Sequence, residues 1–259
     1  MKRVTAFCAL VVSLCLLSGC GMAFYDPKST MRAPRATGEF EEIQQALEAQ
    51  VGMDIILKYP DSGGTRSAFL LHDIDGDEVE EALAFYQPRE AGAVTRMHLI
   101  RQTESGWKSA QDLMAPGVEL LSVDFGDLND DGVDEVITGW SSLNTRDNQM
   151  CIYGMVNGSL VQQTSETYTK YVVCDLEKSG RDEVAFIQWN PTNNSAMLNF
   201  LRYENGKTTL KGGVQLDGSV TGYMKMKYAE IAPGQGGIYI DGYKGADSTF
   251  TELIVMEDG

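Results

Sequence analysis

Asp127, Asn129, Asp131 and Glu135 stand at positions one, three, five and nine of a short segment that has Gly132 at position six. Side chains at such spacings converge on one point when a loop curls. The glycine permits the sharp turn, and the carbonyl of Val133 at position seven adds a further oxygen. A cage of three carboxylates, an amide and a carbonyl suits a hard cation, and its irregular geometry suits Ca²⁺ better than Mg²⁺. Three acids packed so closely repel one another without a cation, so the alternative is an acidic hairpin turn that holds none.

The pattern recurs. Asp73, Asp75, Asp77, Val79 and Glu81 repeat it, with Glu78 at position six where the second loop has glycine. A non-glycine residue in a left-handed turn costs on the order of 1 kcal/mol, so calcium is expected here with lower affinity. Asp175, Glu177, Ser179 and Glu183 form a third version in which Lys178 and Arg181 add positive charge, and it reads as a weak site or none. A fourth version, starting at Glu230 and running through Pro233 to Gly237, has lost the carboxylates and is expected to be metal-free. An aromatic residue follows each loop at a nearly constant interval: Tyr86, Trp140, Trp189 and Tyr243. These four either form a shared ligand face for sugar or peptide or pack between repeats. Packing is the expectation, because repeat positions are set first by the core that each unit must bury.

Acid–base or nucleophilic catalysis has little support. The two histidines, His72 and His98, lie in strand-like runs with no serine or cysteine nucleophile motif beside them. A carboxylate pair for glycoside chemistry stays open among so many acids, but the clustered ones are better explained as cation ligands.

The elements that position the loops follow the same period of about fifty residues. Each loop lies between two apolar runs: Ala68 to Leu71 and Ala82 to Tyr86, Leu120 to Val123 and Val136 to Trp140, Tyr171 to Val173 and Val184 to Trp189, Met224 to Tyr228 and Ile238 to Tyr243. A third run then leads to a hairpin signal at Ser105-Gly106, Asn157-Gly158, Asn205-Gly206 or Asp258-Gly259, and a fourth run follows the first three. Four antiparallel strands per repeat predict an all-β chain, a β-propeller of about four blades or a truncated piece of a larger one. Met53 to Tyr59 is placed to complete the last blade and close the ring. Ahead of the repeats, Phe40, Ile43, Leu47 and Val51 recur at helical spacing, which predicts one amphipathic helix over 39–52.

The stretch from Val123 to Trp140 resembles the FG-GAP or VCBS repeat, the calcium-loop blade also found in integrin α-chain propellers. The resemblance covers about eighteen residues and returns, weakened, in the other copies. It implies a propeller fold and makes Asp127, Asn129, Asp131, the Val133 carbonyl and Glu135 the calcium ligands.

Lys2 and Arg3, an uncharged run from Val4 to Leu17, and Leu17-Ser18-Gly19-Cys20 resemble a bacterial lipoprotein signal and lipobox. The resemblance implies cleavage before Cys20, lipidation of that cysteine, and a lipid-anchored protein on the extracytoplasmic side of a membrane. Residues 20–38 then form a tether and 53–259 the repeat domain. Loss of residues 1–19 leaves 259 − 19 = 240 residues and, with Lys2 and Arg3 gone, moves the formal charge from −16 to −18. Such a body repels phosphate backbones, which disfavours nucleic acid as a partner. Cys151 and Cys174 remain, both in apolar runs, and are expected to be free thiols rather than a disulfide. Three functions fit this reading: a membrane-anchored binding module for glycan or protein, a structural part of an envelope complex, and a carbohydrate-active enzyme.

Overall fold

The computed structural model describes residues 38–63, 66–142, 147–204, 206–245 and 248–255. The signal segment, Cys20, the tether up to residue 37, Asn205 and the Asp258-Gly259 turn lie outside the described residues.

Helix α1 spans Glu39–Val51. Glu39, Glu41 and Glu42 sit in its first turn, where the helix dipole favours negative charge, and Gly52 at φ 85° ends it by donating its N–H to the Glu48 carbonyl at 2.9 Å. Ile43 and Leu47, one turn apart, are fully buried. No helix among the described residues is long and apolar enough to cross a membrane.

Among the described residues all other regular structure is antiparallel β, arranged in four sheets. The first contains β1 (Ile55–Leu57), β2 (Phe69–His72), β3 (Glu81–Pro88), β4 (Arg96–Thr103) and β5 (Gly106–Met114). The second contains β6 (Leu120–Gly126), β7 (Glu135–Trp140), β8 (Asn148–Val156) and β9 (Ser159–Tyr168). The third contains β10 (Lys170–Cys174), β11 (Glu183–Asn190), β12 (Ser195–Glu204) and β13 (Lys207–Gln215). The fourth has three described strands, β14 (Gly222–Ala232), β15 (Gln235–Lys244) and β16 (Ser248–Val255). In the second, third and fourth sheets the described strands pair in chain order, as the repeat predicts, whereas in the first both β1 and β2 pair with β3. Asn157 and Gly158, both with positive φ, make the two-residue hairpin between β8 and β9.

The strand that follows the acidic loop in each of the first three sheets, β3, β7 or β11, explains how the sheets stack. On β3, Leu83 and Phe85 pack with Val136 and Trp140 of β7, whereas the alternating residues Ala82, Ala84 and Tyr86 pack with Ile43 and Leu47 of α1. On β7, Ile137 faces the other way, into a core shared with Val184 and Phe186 of β11. Ala185 and Ile187 of β11 in turn join Ile238 and Ile240 of β15. A strand covered on both faces needs apolar residues at consecutive positions, which is why β7 is buried along its whole length. Complete burial of a side chain such as Phe85 is worth about 1.5–3 kcal/mol. Cys151 and Cys174 are buried and free, and burial pushes the Cys174 thiol up to about 12.

The ring closure expected from the sequence is not formed. Ile55, Ile56 and Leu57 pair with Pro88, Gln87 and Tyr86 of β3, in the first sheet, and not with β16. The four-residue β2 covers only Glu81 to Ala84 of β3, so the rest of that edge is open to β1. Helix α1, not another sheet, covers the outer face of the first sheet.

Candidate functional site

Three acidic loops connect β2 to β3, β6 to β7 and β10 to β11 and share one backbone design. In the second loop the Asp127 carboxylate accepts the N–H groups of Asp130 at 2.7 Å, Asp131 at 3.2 Å and Gly132 at 2.9 Å, and Asp131 accepts that of Val133 at 2.9 Å. Asp73 does the same for Gly76, Asp77 and Glu78 in the first loop, and Asp175 for Ser179 and Gly180 in the third. The position-nine glutamates Glu81, Glu135 and Glu183 are buried and accept the N–H of Ile74, Leu128 and Leu176 at 3.1, 2.9 and 3.0 Å. This bond returns each loop to its starting point and fixes the curl.

Each loop has two left-handed residues, at positions four and six. They are Gly76 and Glu78 in the first, Asp130 and Gly132 in the second, and Lys178 and Gly180 in the third. The strain expected at Glu78 is therefore present, with φ 67°, but the second loop carries its counterpart at Asp130 with φ 63°. Every loop spends one glycine and one non-glycine residue on the turn, so glycine placement does not rank the three.

What separates the loops is an arginine. In the first sheet Ala82 pairs with Ile100, which places Arg101 across from Glu81. Its guanidinium lies 3.0 Å from Asp75 and 4.0 Å from Glu81. In the third sheet Val184 pairs with Leu201, and Arg202 stands across from Glu183, 2.7 Å from Glu177 and 3.5 Å from Glu183. In the second sheet Val136 pairs with Tyr153, and the residue across from Glu135 is Gly154. The second loop thus has no guanidinium where its neighbours have one.

The electrostatics follow. Burial pushes the Glu135 carboxyl up to about 7; the Leu128 N–H opposes this, and the charges of Asp131 and Asp127 reinforce it. Glu81 also rises to about 7 through burial, although Arg101 draws it back. Burial raises Glu183, and the Leu176 N–H and Arg202 oppose the rise. Burial works against ionisation of Asp73, but the N–H groups of Glu78, Gly76 and Asp77 outweigh it and hold its carboxyl below the ordinary range. Near the second loop, Asp182 rises through burial and then through the charges of Asp134, Asp175 and Asp127. Asp134 shares a hydrogen bond with His72, whose ring nitrogen lies 2.8 Å away and whose ring stacks on Phe125 at 3.9 Å.

The second loop holds one unpartnered side-chain oxygen. Asn129 donates its amide to Glu135 at 2.7 Å, which leaves its Oδ1 shielded from solvent with no hydrogen-bond partner among the described residues. Among the described residues the one set of three carboxylates that brings an oxygen each within 4.8 Å of one another is Asp73, Asp75 and Glu81 of the first loop, and there Arg101 already supplies positive charge. In the third loop Lys178 turns away to Glu230 at 2.8 Å, so Arg202, not Lys178, is its counter-ion. The fourth version is a tight hairpin, with Ala232 paired to Gln235 across Pro233-Gly234.

The four recurring aromatics do not form one face. Tyr86 and Trp140 are buried in the inter-sheet and helix cores, Trp140 against Phe85 at 5.9 Å with its indole N–H donated to Thr138 at 2.8 Å. Tyr243 is exposed on the fourth sheet, and Trp189 is half-buried and lines a surface pocket with Gln188, Asn190 and Asn193.

Sequence reasoning missed the two arginines and a hydroxyl cluster on β6 and β10. Tyr171 donates its hydroxyl to Asp124 at 2.6 Å and shares a hydrogen bond with Ser122 at 2.8 Å. Burial, reinforced by the Asp124 charge, holds the Tyr171 hydroxyl well above its ordinary range, so it is a hydrogen-bond donor and not a nucleophile. The alternation Ser122, Asp124 on a first strand was the available signal. No family model matches this chain, and no curated protein matches it in sequence.

Proposed function

We propose that the chain is a lipid-anchored, extracytoplasmic binding module built as an FG-GAP- or VCBS-like propeller arc, in which the second acidic loop takes a Ca²⁺ ion as a structural clamp. Four successive antiparallel sheets, each sharing a core with the next, support the propeller reading. The lipobox resemblance at Leu17 to Cys20 supports the anchor.

The observation that carries the calcium assignment is the Gly154 gap. The first and third loops have Arg101 and Arg202 beside their carboxylates, whereas Asp127, Asp131 and Glu135 have no arginine beside them among the described residues. Asp127, Asn129, Asp131, Glu135 and the Val133 carbonyl would hold the ion, which neutralises their mutual repulsion and cross-links the turn between β6 and β7. A ligand that binds only the folded chain stabilises it. Millimolar Ca²⁺ is therefore expected to raise Tm, and EGTA to reverse the rise. If calcium leaves Tm unchanged and calorimetry detects no heat of binding, the loops are acidic turns and this reading fails.

A further inference from the structure

The antiparallel order puts the starts of β6, β10 and β14 at the end of the molecule remote from the acidic loops. Between these three strand starts lies a cavity of about 720 Å³, within the range of small-molecule sites. The segment 61–63 lies along its β6 side, with Ser62 donating its N–H to the Leu121 carbonyl at 2.8 Å.

One wall is a chain of hydroxyls ending on a carboxylate: Ser122, Tyr171 and Asp124, with Tyr168 set edge-on to Tyr171 at a centroid distance of 5.1 Å. Space for this wall is built into β7. A Cβ at Gly139 would stand 2.5 Å from Ser122 Oγ and would also collide with the Tyr168 hydroxyl. Only Oδ2 of Asp124 is engaged by hydrogen bonds among the described residues. Asp61 and Asp124 are matched in the lining by Lys170 and Lys225, and Met224 and Met226 supply an apolar side.

That balance selects a ligand class. An anion would meet Asp124 and Asp61, and a cation would meet Lys170 and Lys225. A neutral polyol finds acceptors in the carboxylate, mixed donor–acceptors in the hydroxyls, and apolar surface for its C–H faces. A second pocket of about 320 Å³ shares Tyr168 and Thr169 with the cavity and adds Trp189, Gln188, Asn190 and Asn193, an indole ring beside three amides, with Asp147 also in its lining. The two together suit a chain of more than one ring.

We infer that this cavity and the adjoining Trp189 pocket form a binding site for a neutral oligosaccharide, with Asp124, Tyr171 and Ser122 holding one sugar ring and Trp189 supporting the next. The inference rests on the binding-module reading and is independent of the calcium loop.

The test uses full-length protein in a detergent without a sugar headgroup, titrated calorimetrically with maltotriose, cellotriose and chitotriose, and with 3′-sialyllactose and spermidine as charged probes. At least one neutral trisaccharide should bind with one-to-one stoichiometry. Asp124→Asn, Tyr171→Phe and Trp189→Ala should each weaken it by about tenfold or more, the ratio expected when a hydrogen bond to a charged group or an aromatic contact is lost. Circular dichroism and Tm identify any variant that fails to fold, and Trp189→Phe is the fallback for the largest change. Asp131→Ala, at the opposite end, should leave the affinity unchanged. The proposal is overturned if none of the neutral probes binds up to about 10 mM, if only a charged probe binds, or if binding ignores all three substitutions. Saccharide binding without any calcium effect on Tm would overturn the calcium assignment alone, and a calcium effect without saccharide binding would overturn the ligand class alone.

Discussion

Gly154 stands across the β7–β8 pair from Glu135, at the position where the first and third sheets set Arg101 across from Glu81 and Arg202 across from Glu183. The residue opposite the position-nine glutamate therefore decides whether a loop carries its own cation.

Exchanging that residue should exchange the behaviour. Gly154→Arg should raise the Tm of the calcium-free protein and abolish its response to Ca²⁺. The side chain nearest a Cβ at Gly154 is the exposed Gln163, which can swing away. Arg101→Met should cost about 1–3 kcal/mol by leaving buried carboxylates unpaired, and added Ca²⁺ should recover part of the loss. Thermal melts with calcium and with EGTA check both.

Among loop substitutions, Asp131→Ala should remove more of the calcium-dependent Tm shift than Asp77→Ala or Glu177→Ala. In the first and third loops a guanidinium remains after the change. Equal losses from all three variants would show that the arginines do not discriminate.

Gly139→Ala should destabilise the chain by about 1–3 kcal/mol through overpacking, because its Cβ meets Ser122 and Tyr168 inside a fully buried strand. Ser122→Ala introduced with it should recover part of the loss, measured by denaturant unfolding.

His98 is buried, with its ring 2.8 Å from the Ser109 hydroxyl. Burial lowers its pKa from 6.5, against the pull of Asp112 toward the charged form. The unfolded chain therefore takes up this proton first as pH falls through about 6.5, and the folded state loses stability below that pH. His98→Gln should flatten the acid side of the stability profile below about pH 6.5 relative to the parent.

Cys20→Ala should abolish labelling by a fatty-acid probe and shift the protein out of the detergent phase. Undiminished labelling in that variant would refute the lipid anchor.

How much of this was legible in the sequence depends on the range of the interaction. The curl of the loops is local: Asp127 bonds to amides at most five residues away, so the spacing Asp, Asn, Asp, Gly, Glu specifies it without the rest of the chain. The two-sided burial of β3 and β11 is also local, because the unbroken apolar runs Ala82 to Tyr86 and Val184 to Ile187 have no polar face to turn to water. The hairpins follow from residues that accept positive φ, as at Asn157-Gly158.

The partner of Met53 to Tyr59 was a tertiary decision. Any open strand edge can accept three apolar residues, but β3 lies about thirty residues along the chain and β16 about two hundred, a difference of roughly 2 kcal/mol in loop-closure entropy. The shortness of β2 left the nearer edge open. The arginines were hidden for a related reason. Arg101 and Arg202 lie on a different strand from the glutamates they face, and only the pairing register brings them together, so no loop motif contains them. The sequence by itself determined three similar acidic turns; the register of the neighbouring strand decided which one is left without a cation of its own.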